Sequence, residues 1–127
     1  MKIINSNKAP EAIGPYSQAV IANGFIFASG QIGINPETGK LAGNSVEEQT
    51  EQVLKNLENV LKEAGAGFND VVETVIFLTD LNDFQKINSI YESSLISHKP
   101  ARATVQVAGL PLNALIEIKM TAVHKNK

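Results

Sequence analysis

Apolar and polar positions along the chain change period several times, and each change marks an element. Phe25-Ile26-Phe27-Ala28 is an apolar run preceded by Asn23-Gly24 and by the looser alternation of Ser17 to Ala22. Asn-Gly between two such runs predicts a β-hairpin, because both residues accept the positive φ of a type I′ turn. Lys2 to Asn5 predicts a short strand before it. The stretch from Ala9 to Tyr16 is too rich in Pro and Gly to be regular, which puts Tyr16 on or beside a loop. The hairpin's second strand runs into Ser29-Gly30-Gln31-Ile32-Gly33, whose glycines let backbone groups approach a ligand closely or merely form a bulge or turn.

Beyond a turn at Asn35 to Lys40 the period lengthens. Ser45 with Glu48 three residues on is a capping box, and Val46, Thr50, Val53, Leu57, Val60, Leu61 and Ala64 form one apolar helical stripe that stops at Gly65 and Gly67. Val71 to Thr79 predicts a strand, apolar on both sides through Val75-Ile76-Phe77-Leu78 and therefore central. Asn82 or Asp83 caps a second helix with Phe84, Ile87, Tyr91 and Leu95 as its buried stripe and Asn88 beside it; His98-Lys99-Pro100 ends it.

The last third alternates with period two. Ala101 to Val107 and Leu115 to Met120 flank Gly109, Pro111 and Asn113, which predicts two antiparallel strands joined by a short loop. Parity puts Arg102, Thr104 and Gln106 on one side of the first strand and Glu117, Lys119 and Thr121 on one side of the second. Centred near Pro111 and Leu112, the loop sets Arg102 almost opposite Glu117. That pair reads as a cross-strand ion pair on a solvated face, or as a fixed guanidinium beside a carboxylate that holds a small carboxylic acid and activates water. The element order is β-β-β-α-β-α-β-β, an α+β fold with a six-stranded, mostly antiparallel sheet and two helices on one face. The second face, carrying Arg102, Thr104, Glu117 and Lys119, is expected to meet water or, through a wet interface, another subunit.

Composition narrows the chemistry. The 127 residues suit a single domain spanning 1–127, with a core that needs no staples. There is no cysteine, which excludes disulfides, thiolate nucleophiles and Cys-based zinc sites. The first residues lack an apolar leader pattern and no later stretch approaches the length of a membrane helix, so a soluble, unsecreted, cytoplasmic protein is expected. Eleven basic against thirteen acidic residues, with no Lys/Arg run beyond the Lys125-Asn126-Lys127 tail, argue against nucleic acid as a partner. His98 and His124 have no metal-like spacing and are expected at the surface.

Gly14-Pro15-Tyr16-Ser17-Gln18, Ser29-Gly30-Gln31, Asp80 to Phe84 with Asn88 and Tyr91, Pro100-Ala101-Arg102, and Val107-Ala108 through Leu110-Pro111 to Ile116-Glu117-Ile118 together resemble the RidA/YjgF family of enamine/imine deaminases. The resemblance spans nearly the whole chain. It implies a chorismate-mutase-like fold and a homotrimer with an inner barrel of sheets and ligand clefts between subunits. It also implies hydrolysis of 2-aminoacrylate and 2-aminocrotonate, through their imine tautomers, to 2-ketoacids and ammonia, a reaction that protects enzymes dependent on pyridoxal phosphate. By the same resemblance Arg102 binds the substrate carboxylate and Glu117 polarises the attacking water and shuttles protons. Ser29 and Gly30 approach the substrate, and Tyr16 and Asn88 line the cleft across the subunit boundary from the arginine. Thr104 stands where many members carry Cys. No cofactor or metal is implied. Two other readings are a non-enzymatic 2-ketoacid-binding regulator and, with less support from charge and histidine placement, a ribonuclease or translation inhibitor.

Overall fold

The Asn-Gly hairpin forms as its chemistry dictates: Asn23 and Gly24 take φ of 51° and 81° between strands β2 (Ala19–Ala22) and β3 (Phe25–Ile32). A computed structural model describes residues 1–125; Asn126 and Lys127 of the tail lie outside the described residues. Strand β1 (Lys2–Ile4) pairs antiparallel with β2, and β3 pairs antiparallel with the C-terminal strand, β8 (Ile116–Val123). Strands β4 (Ile34–Asn35) and β5 (Lys40–Leu41) form a separate two-stranded ribbon where the sequence shows only a turn. Helix α1 (Val46–Glu63) follows, then β6 (Val71–Leu78), α2 (Phe84–Leu95) and β7 (Ala101–Gln106). The main sheet has the order β1-β2-β3-β8-β6-β7.

Helix α1 begins where Ser45 Oγ accepts from the Glu48 N–H at 3.1 Å and the Glu48 carboxylate returns to the Ser45 N–H at 3.3 Å. Such a cap is worth about 1 kcal/mol. Every residue of the expected stripe is buried, and Leu54 joins them. The apolar ones share one core with Ile26, Ile76, Ile118 and Met120 from the sheet, and each such aliphatic side chain contributes about 1.5–3 kcal/mol relative to exposure. Helix α2 buries Ile87, Tyr91 and Leu95, whereas Phe84 is only half-buried. Its Asp83 makes no capping bond; Asp80 instead accepts from the Asn82 N–H at 2.9 Å and caps the single 3₁₀ turn that precedes the helix.

The expected hairpin of the last two strands is not formed. Strand β6 lies between β7 and β8, pairing antiparallel with β8 and parallel with β7. The chain from Val107 to Leu115 therefore steps over β6 instead of turning back beside β7. The long, largely apolar strand β6 is flanked by a strand on each edge, and β7 is left at the sheet edge.

That insertion also changes the faces. Thr74, Ile76 and Leu78 point toward the helices, and β7 pairs Thr74 with Arg102 and Ile76 with Thr104. Arg102 and Thr104 therefore lie on the helix side, not on the uncovered face. The uncovered face keeps Glu117, Lys119 and Thr121, flanked by Phe25, Phe27, Val72, Val75, Phe77 and Val105. It is far more apolar than expected: Phe27 is 42% exposed and Val105 41%.

Candidate functional site

Glu117 stands on β8 in register with Phe77 on one side and Ile32 on the other. Between Ala28 and Gln31 the β3 register shifts, so Ser29 and Gly30 together oppose Lys119. This bulge pushes Gly30 against the glutamate. A Cβ at Gly30 would collide with the Glu117 carboxylate, meeting its Cδ at 2.8 Å. Only glycine lets the carboxylate lie across the strand here. Gly33 has a different reason: a Cβ there would come within 2.7 Å of the Gln49 backbone oxygen, so that glycine seats the chain against α1.

Around Glu117 opens a cleft of about 650 Å³ whose walls include Tyr16, Ser29, Gly30, Leu112 and Lys119. Tyr16, on the irregular N-terminal segment, is 54% exposed at its mouth. The Ser29 hydroxyl donates to the Ser17 carbonyl at 2.6 Å, which leaves its lone pairs to accept from whatever enters. Burial raises the Glu117 pKa above the ordinary value of 4.5. Among the described residues no cation pairs with Glu117. A partly desolvated carboxylate without a counter-ion is poised to take a proton from water.

The guanidinium is elsewhere. Val105, not Arg102, lies in the same row as Glu117 through Phe77, and Arg102 is three residues back along β7. Two strand spacings and three residue rises put the Cα atoms roughly 14 Å apart, and the odd offset puts the side chains on opposite faces. Arg102 Nη1 donates to Asn88 Oδ1 at 2.8 Å, and its Cζ lies 5.0 Å from the Tyr91 ring centroid and 5.4 Å from that of Phe84. Asn88 thus belongs with the arginine of its own chain, not across a boundary from it. Burial raises the Tyr91 phenol, which pairs with Thr74 Oγ1 at 2.9 Å. The Thr104 hydroxyl oxygen is buried and has no hydrogen-bond partner among the described residues.

The seven residues singled out from sequence therefore fall into two groups: Tyr16, Ser29, Gly30 and Glu117 around the cleft, and Arg102 and Thr104 on the helix side of β7 with Asn88 of α2. Among the described residues neither Glu117, which shares its cleft with Lys119, nor Arg102 is in an ion pair. The sequence reading missed the aromatic flanks of Arg102, although Phe84, Asn88 and Tyr91 at i, i+4 and i+7 carry that signal. It also expected His98 at the surface; His98 is half-buried, with Nε2 2.7 Å from the Val71 carbonyl oxygen.

Comparison with known proteins gives a consistent picture. The chain is 53% identical over 121 residues to Reactive Intermediate Deaminase A, chloroplastic, of Arabidopsis thaliana, a match covering 95% of this chain and 65% of that one. It is 48% identical to the human 2-iminobutanoate/2-iminopropanoate deaminase, covering 97% and 90% of the two chains. The structure of E. coli TdcF with bound serine superposes with a TM-score of 0.92 at 40% identity, covering 97% of this chain and 98% of that one. Residues 6–124 match the family described as Endoribonuclease L-PSP. The chain belongs to that family, which is the RidA/YjgF family its motifs resemble.

Proposed function

We propose that this protein hydrolyses small 2-imino acids, the tautomers of 2-aminoacrylate and 2-aminocrotonate, to 2-ketoacids and ammonia in clefts completed by a second copy of the chain. One observation carries the reading: among the described residues the Glu117 carboxylate on one face pairs with no cation and the Arg102 guanidinium on the other pairs with no anion. Two chains bringing these halves together make a site with both. The names of the plant and human relatives, and the amino acid held by TdcF, support the same substrate class.

In that site Arg102 pairs the substrate carboxylate through a guanidinium edge, which a planar fork does bidentately. The Thr104 hydroxyl, two residues along the same face, donates to the same end of the substrate. Glu117 takes a proton from water as the oxygen attacks the imine carbon, giving a tetrahedral carbinolamine. On the protonated imine this leaves a neutral carbinolamine; Glu117 returns the proton to nitrogen, the C–N bond breaks as the Glu117 carboxylate takes the hydroxyl proton and the carbonyl forms, and that proton leaves with ammonia as ammonium. The Ser29 oxygen accepts from the nitrogen or the incoming water. An iminium carbon is already electrophilic, so positioning and electrostatics supply the acceleration.

The uncovered apolar face supports assembly, and a homotrimer is the arrangement we propose. The description of the family as an endoribonuclease suggests a second activity, but the cleft walls contain no histidine and the chain has a net charge of -2. A purely ketoacid-binding role is the remaining competitor.

The decisive assay adds the protein to a threonine dehydratase that releases the imine in situ, with semicarbazide competing for it. Faster 2-oxobutanoate release and less trapped imine, both lost in Arg102→Ala, is the expected result. No difference from buffer with folded protein would overturn the deaminase in favour of the binder.

A further inference from the structure

Arg102 is the only arginine in the chain. Its guanidinium sits between two rings that α2 presents two turns apart, Phe84 at 5.4 Å and Tyr91 at 5.0 Å, with Asn88 on the turn between them holding Nη1 at 2.8 Å. Seven residues are close to two helical turns, so both rings leave the same side of α2. Below, Tyr91 is fixed in turn by its hydroxyl bond to Thr74, the buried residue in register with Arg102 on the neighbouring strand. Three contacts from one helix and one tie to the sheet converge on a single cation.

We infer that Phe84 and Tyr91, with Asn88, are positioning residues that lock the Arg102 guanidinium in the orientation that receives the substrate carboxylate. The inference rests on the deaminase reading for its kinetic consequence, while the lock itself is a property of the ligand-free protein. An arginine side chain free in water has rotamer freedom that binding must remove, and the cost falls on substrate affinity. Rings on both flanks and one nitrogen engaged remove that freedom in advance and leave a guanidinium edge for the ligand. The rings also strip water from the cation and offer their negative faces without neutralising it, as a carboxylate in place of Asn88 would. Phe84 is half-buried rather than part of the core, as expected for a side chain kept for the arginine.

A single arginine makes the test direct, because ¹⁵N-edited NMR of the guanidinium reads one residue. In wild type, slow rotation should resolve separate Nη signals. Phe84→Leu should average them and raise KM for the imine about tenfold, with kcat changed by less than about twofold. Phe84→Tyr, which restores a ring, should restore both the signals and KM. Tyr91→Leu should act like Phe84→Leu, and Tyr91→Phe, which keeps the ring but loses the bond to Thr74, should keep resolved signals with a smaller rise in KM; since Tyr91 is buried, Phe84→Leu at the half-buried position decides if Tyr91→Leu does not fold. Averaged signals in wild type, or signals and KM unmoved by Phe84→Leu, would overturn the lock. Inactive wild type with resolved Nη signals would instead remove the deaminase and leave the lock standing.

Discussion

Arg102 and Glu117 are carried by the same sheet but face opposite ways, separated by strand β6 and offset by three residues. One chain does not bring them to one substrate, so the proposed deaminase requires the pair to be divided between copies. Mixing inactive Arg102→Ala with inactive Glu117→Gln, after unfolding and refolding together, should recover activity. In randomly mixed trimers about a quarter of the clefts regain both groups. No recovery above either parent would place both groups in one chain's site.

Glu117 also makes stability depend on pH with a definite sign. Its folded pKa is raised by burial, so the folded state binds the proton more tightly than the unfolded chain does. Stability from this group is fully present below the unfolded value near 4.5 and is lost as pH rises through the folded value. Glu117→Gln should therefore equal wild type in melting temperature at low pH and exceed it above that window. The same shift places the acid limb of kcat/KM above the ordinary carboxylate range. A melting difference that does not vary with pH would contradict both expectations.

Two glycines should separate function from stability. A Cβ at Gly30 meets the mobile end of the Glu117 side chain, whereas one at Gly33 meets the backbone of α1. Gly30→Ala should lower turnover at least about tenfold while costing under about 1 kcal/mol, because the carboxylate swings aside. Gly33→Ala should cost about 1–3 kcal/mol, because backbone must shift. Chemical denaturation and steady-state rates on both variants settle the comparison.

Assembly should depend on the uncovered face. Phe25 and Phe27 have ring centroids 6.1 Å apart and are both more than 40% exposed. Phe27→Asp places a charge where a partner's apolar surface is expected, and sedimentation equilibrium should then report a monomer with an intact fold by circular dichroism. An unchanged mass would show that copies meet elsewhere.

Local rules in the sequence determined the elements of this protein. The Asn-Gly turn, the Ser45–Glu48 cap, the α1 stripe and the central character of β6 follow from interactions within a few residues, and strand parity told correctly which residues of β7 share a side. Family-like motifs drew out the candidate residues and implied a division that set Tyr16 and Asn88 apart from Arg102, whereas the fold sets Asn88 with Arg102. Which strand neighbours β7 is a matter of placing the largely apolar strand β6 between two others, a sum over the whole sheet that alternation in β7 and β8 does not encode. The short loop after Val107 suits a return beside β7 as well as a step across β6. Only the tertiary structure chose the step, and that choice reversed the face of Arg102, placed it between Phe84 and Tyr91, and left the uncovered face to Glu117 and a row of apolar side chains.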